Sequence, residues 1–198
     1  MEINNVKSPK AIERKEEILR KATQLFYENG YDNTSIRELA NAVGLSIAGL
    51  YYFFQNKEEI LFEVLNDALS NLFETIQSAI TTNDPQQNIT QIIDHMVEQV
   101  VGHKMEMGLL LGESKRLNPE QLSIINAKKN TIYNLVKKEL IKLADQGNLK
   151  DFNITFVTFG IFAIINYIHL WYDPSGPLSP EQFAEETTKL LFFGILKE

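Results

Sequence analysis

Apolar residues recur at three- and four-residue spacing along almost the whole chain, the period of a helix that turns one face to a core. Sustained alternation between hairpin turns, the mark of a half-buried strand, is missing. The pattern predicts an all-α fold of about nine helices.

Start and stop signals divide the pattern. A first helix, Ile12 to Asn29, carries Ile12, Ile18, Leu19, Ala22, Leu25 and Phe26 on one face and stops at Gly30. Ser35 and Glu38 have capping-box spacing ahead of a short second helix ending at Val43. Gly44-Leu45 makes a turn, and Ser46 caps a third helix, Ile47 to Phe54. Asn56 and Glu59 repeat the capping box before a long fourth helix, Lys57 to Thr81, which contains neither Gly nor Pro.

Thr82-Asn83-Asp84-Pro85 reads as a loop, and Pro85 opens a fifth helix to His103. Further helices are expected over Lys104 to Arg116, Pro119 to Gln146, Asp151 to Trp171 and Pro180 to Lys197, the last after the breaker Asp173-Pro174-Ser175-Gly176-Pro177. The expected division is a three-helix unit over residues 1–56 and a larger helical unit over 57–198.

The second and third helices carry more than periodicity. A helix-turn-helix needs a small residue where its helices cross, a glycine in its tight turn and apolar residues only at inward positions. Ala40 and Gly44 stand at those places, and Leu39, Val43, Leu45, Leu50 and Phe53 form the inward set. Arg37, Ser46, Ile47, Ala48, Gly49, Tyr51, Tyr52 and Gln55 are left to face outward.

Charge complicates this reading and then fits it. The net charge is -7, but residues 1–57 hold 8 Lys and Arg against 7 Asp and Glu, while residues 58–198 hold 11 against 19. The acidity therefore lies in the larger unit, and DNA docking is local to the smaller one. The absence of cysteine excludes disulfides, thiolate metal sites and a cysteine nucleophile, and fits a reducing cytoplasm. The most apolar stretch, Phe156 to Tyr172, is interrupted by Thr158, Asn166 and His169 and falls short of the roughly 20 residues that cross a bilayer, so no membrane partner is expected.

Thr34-Ser35-Ile36-Arg37-Glu38-Leu39-Ala40, Val43-Gly44-Leu45-Ser46, Gly49-Leu50-Tyr51-Tyr52-Phe53-Phe54 and Asn56-Lys57-Glu58-Glu59 together resemble TetR-family regulators, over residues 12–62. The resemblance implies that the third helix enters the major groove of operator DNA and that the last two helices form a homodimer. It also implies that Thr34, Tyr52 and Lys57 hold phosphates. Arg37, Ser46, Ile47, Ala48, Gly49 and Tyr51 then lie nearest the bases, with Ser35 on the same surface. Ile47-Ala48-Gly49 is apolar, so polar base readout is sparse, and thymine methyls and DNA shape carry part of the specificity.

Leu110-Leu111-Gly112-Glu113-Ser114-Lys115-Arg116-Leu117-Asn118-Pro119-Glu120 and Trp171-Tyr172-Asp173-Pro174-Ser175-Gly176-Pro177-Leu178-Ser179-Pro180-Glu181 resemble a subset of that family, the repressors of fatty-acid, sterol and aromatic-acid degradation. This resemblance implies an acyl-CoA or other hydrophobic effector. The larger unit supplies Met96, His103, Met107, Leu110, Tyr133, Phe159, Tyr167 and Trp171 as candidate lining, with Glu113 and Asn166 as polar anchors. Each is equally explained as ordinary core packing.

His95 and His103 are two helical turns apart, too far to share a metal ion, and no cofactor is expected. Nucleophile triads, phosphate-binding loops and paired His-carboxylate motifs are absent, so no enzyme chemistry is expected. A helical adaptor without DNA binding is the alternative reading. It does not require outward Tyr51, Tyr52 and Lys57 beside a helix-turn-helix.

Overall fold

The computed structural model describes residues 8–173 and 175–195. Pro174 and the expected end of the last helix at Lys197 lie outside the described residues. The described secondary structure is entirely helical.

The N-terminal unit is α1 (Pro9–Asn29), α2 (Ile36–Ala42) and α3 (Ile47–Tyr51). α1 begins a turn earlier than expected because Ser8-Pro9 supplies a start, with proline where a missing N–H costs nothing. It buries Ile18, Leu19, Ala22, Thr23 and Phe26 but leaves Ile12, expected inward, 47% exposed. The chain leaves α1 through Gly30 at φ 84° and α2 through Gly44 at φ 64°, backbone that glycine adopts without strain.

The capping box of α2 is closed on both sides: Glu38 N–H donates to Ser35 Oγ at 3.2 Å, and Ser35 N–H donates to a Glu38 carboxylate oxygen at 2.7 Å. α3 ends sooner than the expected Phe54, because Phe53 and Phe54 turn inward in the bend before the next helix.

α4 (Lys57–Ala79) starts at Asn56, whose side chain accepts from Glu59 N–H at 2.8 Å. It packs against α1 on one side and against α5 (Pro85–Gly102), α6 (Lys104–Gly112) and α7 (Pro119–Asp145) on the others. The expected sixth helix breaks after Gly112, and Ser114–Arg116 forms a separate 3-10 turn. One continuous apolar core joins both units, from Ile18 and Phe26 through Leu61, Leu65 and Ile76 to Ile92, Val136 and Ile161.

The apolar helix expected over Asp151 to Trp171 is divided into α8 (Ile154–Asn166) and the single turn α9 (Ile168–Trp171). The helix ends where Tyr167 flattens to ψ -6° and the His169 ring turns back, its Nδ1 2.5 Å from the Asn166 carbonyl. Counted as one broken helix, the pair leaves the nine of the expectation among the described residues. α10 (Pro180–Ile195) lies along α5, and Lys150 N–H donates to the Ile195 carbonyl at 2.7 Å, tying the loop after α7 to the end of α10.

α5 and α7 are joined by a buried polar knot. Asn88 Nδ2 donates to a Glu139 carboxylate oxygen and to the Thr82 carbonyl, both at 2.9 Å, and Lys142 Nζ reaches the other Glu139 oxygen at 2.6 Å. Asn88 and Glu139 are 0% and 1% exposed, so the bond between them satisfies groups that water cannot reach.

Candidate nucleic-acid interface

The α2–turn–α3 segment buries Leu39, Ala40, Val43 and Leu50, with Leu45 and Phe53 half-buried behind them. Ala40 is small enough for the Leu45 N–H to reach its carbonyl at 2.9 Å, which folds the turn tightly against α2. Arg14 anchors the other side, donating from α1 to the carbonyl of Val43 where α2 ends. That contact joins residues far apart in the chain and carries no local sequence signal.

With the inward residues taken up, α3 presents Ser46, Ile47, Ala48 and Tyr51 to solvent, and Tyr52 follows at 81% exposure. Gly49 is half-buried, its N–H donating to Ser46 Oγ at 3.0 Å. The Tyr52 ring stands edge-on to Phe53 at 5.1 Å, so its direction is set by packing although its face is wet. Arg37 and Ser35 are exposed on the same side, and Arg37 makes no ion pair or hydrogen bond among the described residues. Glu38 beside them is held below the usual carboxylate range by the N–H and hydroxyl of Ser35. It therefore stays an anion at neutral pH, beside the cationic Arg37.

Two expected phosphate ligands are otherwise engaged. Thr34 is 1% exposed, and its hydroxyl lies within hydrogen-bond reach of the Gly30 carbonyl at 2.9 Å and the Leu25 carbonyl at 3.2 Å, closing the end of α1. Lys57 folds back over the α1–α2 turn. Its Nζ donates to the Tyr31 and Thr34 carbonyls at 2.8 and 3.0 Å and lies 4.2 Å from the Tyr31 ring centroid. The donors of both residues are taken up by backbone carbonyls of α1 and of the turn that follows it.

The loop between α6 and α7 reaches the head at one point and the first turn of α4, just beyond the head, at another. Arg116 pairs with Asp32 of the α1–α2 turn, and the Asn118 N–H and side-chain amide donate to Glu58 of α4 at 3.0 and 2.7 Å.

The expected effector residues are not gathered into one cavity. Met96, Met107 and Leu110 are buried in the common core. His103 and Met107 border a cleft of about 220 Å³ between α1, α4, α5 and α6, where Arg20, Asp67, Asn71 and Gln99 join them. Burial raises the Asp67 carboxyl above its usual range, and the neighbouring Glu63 carboxylate adds to the effect.

Tyr167 and Trp171 border a second, apolar cleft of about 300 Å³ with Ile164, Tyr172, Leu178 and Phe183. Tyr133 lies ring against ring with Phe159 at 5.1 Å and donates its hydroxyl to the Thr155 carbonyl at 3.3 Å, while Phe159 stays 59% exposed on its other face. Glu113 sits in the loop after α6, 3.5 Å from Arg116 Nε, and one of its carboxylate oxygens is buried without a hydrogen bond. Asn166 is half-buried, its carbonyl turned to His169.

Comparison with known proteins agrees with this geometry. Residues 18–64 match the family model of bacterial regulatory proteins of the tetR family, and residues 82–195 match that of the tetracyclin repressor-like C-terminal domain. The HTH-type transcriptional repressor KstR2 of Mycolicibacterium smegmatis is 26% identical over 188 residues, 92% of this chain and 90% of the relative. The crystal structure of AibR in complex with isovaleryl coenzyme A and operator DNA superposes with a TM-score of 0.84 at 28% identity, over 90% of this chain and 98% of that one. The ketosteroid regulator KstR2 of Mycobacterium tuberculosis gives 0.84 at 25% identity, over 93% and 96%. A buried helix-turn-helix scaffold with a wet third helix, joined to a matching C-terminal domain, makes this chain a DNA-binding transcriptional regulator, and it belongs to the TetR family.

Proposed function

We propose that the chain represses transcription as a homodimer whose two α3 helices enter successive major grooves and are released when a small acyl thioester binds the larger unit. The observation that carries the DNA contact is α3 itself, which buries Leu50 and leaves Ile47, Ala48 and Tyr51 outward, beside Tyr52. In this reading residues 1–56 are the reading head and 57–198 the sensing and dimerising unit. Arg37, Ser46, Ile47, Ala48 and Tyr51 meet base edges, while Ser35 and Tyr52 meet phosphates.

Dimerisation is supported by apolar side chains left bare on α8 and α10: Phe156 at 69%, Phe159 at 59%, Leu190 at 68% and Phe193 at 90% exposure. Bare apolar side chains of this size favour a second copy. The acyl thioester reading is supported by the AibR complex with isovaleryl coenzyme A and by the two clefts that hold expected effector residues.

Selection of duplexes from a random-sequence pool by the purified chain tests the first part. Enrichment of a palindromic site is expected, and failure to enrich any site overturns it. Titration of isovaleryl-CoA, longer acyl-CoA esters and free coenzyme A into the chain with and without the selected duplex tests the second. Effector and DNA must weaken each other by the same factor. Equal ester affinity in both titrations refutes release by that ester.

A further inference from the structure

We infer that the loop between α6 and α7 is a two-point clamp that sets the orientation of the DNA-reading head: Arg116 pairs with Asp32 in the head, and Asn118 grips Glu58 at the root of α4, where the head joins the larger unit. The inference rests on the DNA-binding reading above. Asp32 lies in the turn that joins α1 to α2, and Glu58 lies in the first turn of α4, so the two points bracket the helix-turn-helix. The clamp arm is short. Arg116 ends the 3-10 turn, and Asn118 also caps α7, its side chain accepting from Gln121 N–H at 2.9 Å. Movement of either end of the loop therefore reaches the head without slack.

The loop is continuous with α6, which packs against both α1 and α4. α6 approaches α1 so closely that a Cβ added to Gly108 would come within 2.8 Å of the Tyr27 ring. A shift of α6 that carries the 114–116 turn with it also carries Arg116 away from Asp32.

The strength of the contacts suits a switch. Arg116 and Asp32 are 42% and 59% exposed, and an exposed pair of this kind changes an equilibrium by about five-fold at most. Glu113 adds a second carboxylate 3.5 Å from Arg116 Nε and has no hydrogen bond to its inner oxygen. Arg116 thus has an alternative partner on its own loop, and leaving Asp32 does not strand its charge. Opened, the head samples more orientations, and fewer of them fit two grooves roughly 34–36 Å apart.

The test uses the full chain, a duplex that the unaltered chain selects from a random-sequence pool, and the variants Asp32→Asn, Arg116→Gln, their combination, and the exchange of Asp32→Arg with Arg116→Asp. Each single variant should lower affinity for the duplex by about two- to five-fold. The combination should lose no more than the worse single variant, and the exchange should regain most of the loss. Amide exchange at residues 31–34 of the free protein should quicken in both single variants and recover in the exchange, a readout that needs no DNA.

Unchanged or tighter duplex binding with unchanged amide exchange overturns the clamp. Losses that add, with no recovery in the exchange, also overturn it, since Arg116 would then act on the DNA directly. Failure of the unaltered chain to enrich any duplex instead removes the DNA-binding reading.

Discussion

Lys57→Met separates a phosphate ligand from a structural staple. The substitution keeps most of the apolar stem and removes the ammonium that bonds the Tyr31 and Thr34 carbonyls at 2.8 and 3.0 Å. Hydrogen bonds from a charged donor contribute about 1.5–3 kcal/mol each. Lys57 is only half-buried and water can replace part of that, so the two together amount to about 2 kcal/mol. The ring contact at 4.2 Å to Tyr31 adds about 0.5 kcal/mol.

For a chain of this length each kcal/mol moves the melting midpoint by about 2–4 °C, so a fall of about 5–10 °C is expected in a calorimetric scan. In a duplex titration over a range of salt, the slope of log affinity against log salt should stay as it is, because no cation leaves a phosphate. An unchanged melting midpoint together with a slope reduced by about 0.9, the value for one lost phosphate contact, would refute the reasoning and return Lys57 to the DNA surface.

Phe193→Glu should halve the mass seen by light scattering and keep helical ellipticity. Phe192→Glu should lower the melting midpoint first, since Phe192 packs against the core while Phe193 is 90% exposed. Asn88→Leu leaves a buried Glu139 oxygen without its donor and should cost about 3 kcal/mol. Combined with Glu139→Leu the cost should shrink, and a double variant as unstable as the sum of the singles in a denaturant titration would contradict the knot. Lys129 titrates below the usual lysine range because burial disfavours its ammonium. At neutral pH the charged group therefore costs stability, and the native state releases that proton before the unfolded chain does. Lys129→Met should raise the melting midpoint at neutral pH, with a gain that shrinks as the pH rises from the depressed value to that of free lysine; a gain that grows instead would contradict this sign.

The helix order was legible in the sequence because its signals are local. Ser35 with Glu38, Ser46 with Gly49 and Asn56 with Glu59 close within three residues, so their spacing alone specifies α2, α3 and α4. Gly30 and Gly44 needed only their own backbone freedom to mark turns. The inward and outward faces of α3 follow from its period, and the outward set of Ile47, Ala48, Tyr51 and Tyr52 was readable for that reason.

What the tertiary structure decided was which polar groups were already taken. Thr34 and Lys57 look available in the sequence, yet their donors meet carbonyls of the α1–α2 turn, and for Lys57 that meeting comes only after folding. Phe192 and Phe193 are equally apolar, and only the angle at which α10 rests on its neighbours makes one half-buried and the other bare. The expected effector residues share helical periodicity, yet packing sends Met96 to the core, Trp171 to an outer cleft and Glu113 to the loop between α6 and α7. Arg116 with Asp32 and Asn88 with Glu139 lie 84 and 51 residues apart along the chain. Local spacing carries no information about such pairs, because the distance between them is set by how whole helices pack.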